Sequence, residues 1–163
     1  MGRYSDYFKL EFPRSRTDYD SLLRRLKRFQ PDIVHFSGHG THKGILLLDD
    51  SKQAKELPTA SILRLFRNLR DQVQLVILNG CYSSEQAKQL SRLGIYVVGN
   101  SNAAYDNAAI AFSKAFYISL SESKIVDFEE AFESAIGKVE FEFGYDNASI
   151  IDLWKDGEKK NLF

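Results

Sequence analysis

The chain has 163 residues, 44% hydrophobic and 27% charged, with Lys plus Arg and Asp plus Glu both at 22. That length suits a single domain with a real core, and a formal net charge of zero gives no support to a nucleic-acid or anionic-membrane partner. One cysteine excludes an internal disulfide, no apolar run reaches the roughly 20 residues of a bilayer span, and residues 1–7 lack the apolar core of a secretory signal, so a cytoplasmic location is expected.

Residues 7–12 alternate weakly and read as a strand closed by Pro13. From 17 to 29, Leu22, Leu23, Leu26 and Phe29 form a helical stripe, with Thr17 or Asp18 as cap and Pro31 as stop. The basic cluster Arg24, Arg25, Lys27 and Arg28 reads as the solvated face of that helix. Residues 33–36 are an apolar strand ending at Ser37-Gly38-His39-Gly40, and 44–48 form another short apolar run ended by Asp49. A second helix is expected over 58–69, with Pro58 in its first turn and Ile62, Leu65, Phe66 and Leu69 on one side.

Residues 75–78 form a continuous apolar strand ending at Asn79-Gly80-Cys81-Tyr82-Ser83. A short helix over 84–93 stops at Gly94, and 95–98 form a third buried strand. Asp106 or Asn107 opens a helix running to about 120, and another runs from 127 to about 138. Residues 150–155 read as a strand entering an Asp156-Gly157 turn, with Trp154 in the core or at the sheet edge. Strands separated by helices imply right-handed βαβ units, hence an α/β domain with a mostly parallel sheet and helices on both faces.

Two of these strands each deliver one reactive side chain just past their ends, His39 and the lone Cys81. Chemistry in an open parallel sheet gathers at the carboxyl ends of strands. If the two strands are parallel neighbours, His39 and Cys81 meet on one rim as base and thiol nucleophile. A free thiol has a pKa near 8.5, so only a few per cent is thiolate at neutral pH, and an imidazole is suited to take its proton. His35 lies inside its strand and reads as a packed core histidine; His42, in the following loop, remains an alternative base. The spacing of His35, His39 and His42 matches no zinc pattern, so no metal or other cofactor is expected. Asn79 either orients the Cys81 loop or satisfies a turn.

Ser37-Gly38-His39-Gly40 after one strand and Leu78-Asn79-Gly80-Cys81-Tyr82-Ser83 after a later one resemble the caspase-like cysteine peptidases. Within them the CHAT group, with its separase-like relatives, is the closest likeness. It continues through Val97-Val98-Gly99-Asn100, Tyr105-Asp106-Asn107-Ala108-Ala109, Phe112 and Phe116-Tyr117, and covers roughly residues 30–135. The resemblance implies Cys81 as nucleophile, His39 as general base and acid, and the backbone N–H groups of Gly40 and Cys81 as oxyanion hole. It further implies substrate contacts from Ser37 and Asp106, the latter favouring Arg before the cut bond, although Asp106 alone reads equally as a helix cap. The implied partners are a protein or peptide substrate and sensor or regulatory domains in a larger parent protein. The rival expectation is an inactive caspase-like scaffold or interaction module. A third class, a nucleotide-dependent enzyme, lacks its Gly-rich phosphate string here.

The sequence departs from the family twice. The Gln-Ala-Cys-x-Gly string of true caspases is absent, which argues against cleavage after Asp. Family members also carry a strand and helix before the segment matching residues 7–12. Either the chain is a piece of a longer protein that lacks the first strand, its incomplete sheet then expected to self-associate or need a partner segment, or residues 7–12 have taken an unusual place.

Overall fold

A computed structural model of the chain describes residues 17–160. The predicted strand at 7–12 lies outside the described residues.

Two sheets organise the molecule. The main one is built from β1 (Ile33–Ser37), β5 (Leu75–Asn79), β6 (Tyr96–Asn100), β7 (Ile151–Lys155) and β8 (Glu158–Lys159), in the order β1-β5-β6-β7-β8. β1, β5 and β6 run parallel, and β7 and β8 join antiparallel, so the sheet is mixed, with its parallel part where the candidate residues lie. β7 and β8 form the expected hairpin: Asp156 and Gly157 both take positive φ, 55° and 79°, as a two-residue turn of matching twist requires. β1 pairs with β5 on one side, and no other described residue pairs with its outer edge.

Helices cover both faces, as the unbroken apolar run of β5 demands. Leu75 and Ile77 point to one side, where they pack with Phe112, Phe116, Phe132 and Val139 of α4 (Asp106–Glu122) and α5 (Phe128–Phe143). Val76 and Leu78 point to the other, against Leu22 and Leu26 of α1 (Tyr19–Phe29), Phe66 of α2 (Thr59–Arg67), and Ala87 and Leu90 of α3 (Ser84–Ser91). Asp18 caps α1 by accepting from Ser21 N–H at 2.7 Å, a bond that also lowers its carboxyl pKa. A short α6 (Tyr145–Ala148) links α5 to β7.

The second sheet is a three-stranded antiparallel flap of β2 (Gly40–Thr41), β3 (Gly44–Leu48) and β4 (Ala54–Pro58). Its Ile45, Leu47 and Leu57 pack on the α1–α3 side. This flap adds a strand that no sequence pattern announced and corrects one expectation. Residues 54–58 form a strand despite Lys55 and Glu56, because β3 offers it a full ladder from Gly44 opposite Pro58 to Leu48 opposite Ala54. Pro58, expected in the first helical turn, instead ends β4 and sits at the cap position of α2.

Candidate active site

The parallel register of β1 and β5 sets the site. Ser37 lies opposite Asn79, so His39 and Cys81, each two residues further on, leave the sheet in the same rank. The two loops then touch backbone to backbone. A methyl group added to Gly40 would stand 3.1 Å from the Cys81 carbonyl oxygen, and one added to Gly80 would stand 3.3 Å from Gly40 N. Only glycine at both positions allows this approach without displacing main chain.

On the histidine side, β2 and β3 form a two-residue hairpin closed by Thr41 opposite Gly44. Leu46 N–H donates to His39 C=O at 3.3 Å. Gly40, opposite Ile45, is therefore the non-hydrogen-bonded pair between two bonded ones. Its N–H points away from β3. The imidazole of His39 is exposed and makes no hydrogen bond among the described residues, to Cys81 or any other group. Ser37, the last residue of β1, is exposed as well.

On the cysteine side the loop is tied at every residue around a half-buried Cys81. Tyr82 takes positive φ (57°) and its N–H donates to Asn102 C=O at 3.3 Å. Its ring packs against His42, centroids 4.0 Å apart and the planes tilted by 31°. Gln86, buried on α3, donates to Thr41 C=O at 3.4 Å and joins the helix after the cysteine to the histidine hairpin. Ser84 Oγ binds Asp152 Oδ2 at 3.0 Å and receives Trp154 Nε1–H at 3.2 Å, anchoring α3 to β7.

The remaining expected residues divide. Asn79 neither caps a turn nor holds the Cys81 loop: its Nδ2 donates to Ala109 C=O and Ser113 Oγ, at 3.4 and 3.3 Å, and tethers α4 to the end of β5. Asp106 is not the helix cap. Tyr105 holds that position, and Asp106 is the exposed first residue of α4, where a carboxylate suits the positive end of the helix dipole. His35, expected to be a packed core histidine, is half-buried in its strand and packs against Tyr117. Its Nδ1 lies 3.1 Å from Tyr117 Oη, while its Nε2 is buried without a partner. Burial pushes the His35 imidazole down to about 4 and the Tyr117 phenol up to about 12. Two residues that sequence reasoning missed are Asn100, quoted above only within the family resemblance, and Gln86. Both act through contacts between distant segments, which no local pattern announces.

No group of three or more potential metal-binding side chains occurs among the described residues. None of the described helices is long and apolar enough to cross a membrane.

A family model described as CHAT domain matches residues 12–127. A protein of Gillisia limnaea named "Probable protease" is 27% identical over 142 residues, which cover 83% of this chain and 24% of the relative. A "Roc-COR-CHAT protease" from an unknown prokaryotic organism is 22% identical over 122 residues, 71% of this chain and 12% of the relative. The chain thus spans at most 24% of the length of either relative.

Proposed function

The chain belongs to the CHAT-domain family, and from that premise we propose that it is a cysteine endopeptidase. Cys81 is the nucleophile and His39 the general base and acid. The observation that carries this reading is the β1–β5 register, with Ser37 opposite Asn79, together with the backbone contact between Gly40 and Cys81.

The chemistry runs in two halves. His39 takes the thiol proton, and the Cys81 sulfur bonds to the peptide carbonyl carbon while the carbonyl electrons move to oxygen. The N–H groups of Gly40 and Cys81 hold that oxyanion. As it collapses, the C–N bond breaks and the imidazolium gives its proton to the leaving amine. Water, losing a proton to His39, then attacks the thioester, and the Cys81 thiolate leaves. Imidazole and thiol are not hydrogen-bonded in the free chain; substrate binding closes that gap, as it often does at catalytic pairs.

Ser37 and Asp106 contact the substrate in this reading, Asp106 pairing with an Arg before the cut bond. The relatives' names, and the small share of each that this chain covers, support a protease acting as one domain of a larger protein; sensor or regulatory domains of that protein are its proposed controlling partners. A reducing cytoplasm suits a lone catalytic thiol. One observation favours a second reading, an inactive scaffold: the His39 imidazole has no bond to Cys81.

Kinetics on a pool of fluorogenic peptide amides separates the two. Cys81→Ala and His39→Ala are each expected to lose at least about 10³-fold in kcat, and the double variant little more, because the pair acts as one unit. Full turnover by purified Cys81→Ala removes the cysteine-peptidase reading.

A further inference from the structure

The residue directly before the cysteine has its carbonyl held inside the protein. Gly80 O accepts from Asn100 Nδ2 at 3.1 Å and lies 2.9 Å from Ser83 Oγ. Both donors are buried, Asn100 at 3% and Ser83 at 4% exposure. A hydroxyl has one proton, and Ser83 Oγ also lies 2.9 Å from Leu78 O. It therefore divides its single donor between two carbonyls while accepting from Asn100 N–H at 3.0 Å. Asn100 Nδ2 is the donor given to Gly80 O alone.

No cis peptide occurs among the described residues. In a planar trans peptide the C=O and the following N–H point in opposite directions. Fixing Gly80 C=O toward the interior therefore turns Cys81 N–H outward, to the rim shared with His39. Gly80 has no side chain to steer this peptide, and the position is closed against Gly40 N and Gly38 O, where a methyl would stand at 3.3 and 3.4 Å. The only side chains that bond to the peptide's inward face are those of Asn100 and Ser83 among the described residues.

We propose that Asn100, at the end of β6, is a positioning residue that aims the Cys81 N–H as oxyanion donor through the Gly80–Cys81 peptide, with Ser83 as its support. This rests on the cysteine-peptidase reading and extends it to a residue that never touches substrate. An oxyanion donor held in place costs no reorganisation when charge develops, and losing one costs about 10²–10³-fold in kcat elsewhere. Misaiming a donor rather than deleting it is expected to cost less, roughly 10- to 100-fold.

Two reactions at the same sulfur test it. Peptide-amide cleavage passes through an oxyanion; alkylation by iodoacetamide forms the S–C bond by displacing iodide from a methylene carbon and makes none. In Asn100→Ala, kcat on the peptide-amide pool is expected to fall roughly 10- to 100-fold, with KM and the Cys81 alkylation rate both within about threefold of wild type. Ser83→Ala should show a smaller loss of the same kind, and Ser83→Thr, which keeps the hydroxyl, should recover it. Where Asn100→Ala does not fold, the Ser83→Ala and Ser83→Thr pair gives the same ratio of cleavage to alkylation. Unchanged turnover in Asn100→Ala, or cleavage and alkylation falling together, overturns the positioning role while leaving the peptidase reading in place. A wild type that alkylates at Cys81 yet cleaves no peptide overturns that reading, and this proposal with it.

Discussion

The loops after β1 and β5 leave the sheet in the same rank but are held very differently. Around Cys81, Ser83, Asn100, Gln86 and the Tyr82 backbone are all bonded to other segments. Around His39 the main chain is fixed by the β2–β3 hairpin, yet the imidazole is exposed and without a hydrogen bond. Cys81 and the two proposed oxyanion donors sit on fixed backbone, and the proposed base sits on a free side chain. This division fits chemistry in which the donors must be pre-aimed while the base is completed by substrate.

The largest expected effect follows from that asymmetry. An exposed imidazole leaves an opening when removed, so His39→Ala should regain part of its lost turnover in imidazole buffer, while Cys81→Ala should regain none. Single-turnover assays across imidazole concentrations measure this, and a flat response would mean the base acts from a closed site.

Next in size is specificity. A desolvated Asp–Arg pair broken on one side costs about 3–5 kcal/mol, but Asp106 is exposed in the free chain, and exposed pairs are worth at most about 1 kcal/mol. Asp106→Asn is therefore expected to lower kcat/KM for Arg substrates by about fivefold and no more. A library profile of both proteins checks it. An unchanged profile removes Asp106 from the site.

Acid stability contrasts the exposed His39 with His35, half-buried and with its Nε2 out of reach of solvent. The folded pKa of His35, about 4, lies below its ordinary 6.5. Between those values the unfolded chain holds a proton that the fold excludes, so stability falls as pH drops through that window. By pH 5 the loss is about 2 kcal/mol relative to neutral pH. His35→Gln, which keeps a polar partner for Tyr117, should be less sensitive to acid by that amount in thermal melts at pH 7.5 and 5. Equal sensitivity would place the acid-labile group elsewhere.

The smallest effect concerns His42. Its ring already packs, tilted, against Tyr82, and the proposed chemistry gives it no proton to carry. His42→Ala should change kcat by less than about threefold; a loss equal to that of His39→Ala would make His42 the base.

What the sequence carried and what it hid follow the same division. The strands ending at Ser37 and Asn79, the Asp18 cap and the Asp156-Gly157 turn were legible because each is a local pattern of apolar period, capping oxygen or positive φ. That the loops bearing His39 and Cys81 leave the sheet in the same rank was legible from two apolar strands expected to be parallel neighbours. β4 was not, since Lys55 and Glu56 mask a strand made by pairing with β3. The roles of Asn79 and Asn100 were not either. Two similar side chains end adjacent strands, and only the three-dimensional arrangement sends one to α4 and the other to the Gly80 carbonyl.

The central claim is that Cys81 attacks a peptide carbonyl with the help of His39. Labelling with a peptide acyloxymethyl ketone, followed by peptide mass mapping, tests it most directly. The account predicts a single adduct on Cys81, formed at least about tenfold more slowly in His39→Ala and absent in Cys81→Ala. An adduct on another residue, or equal labelling of Cys81 with and without His39, would contradict it.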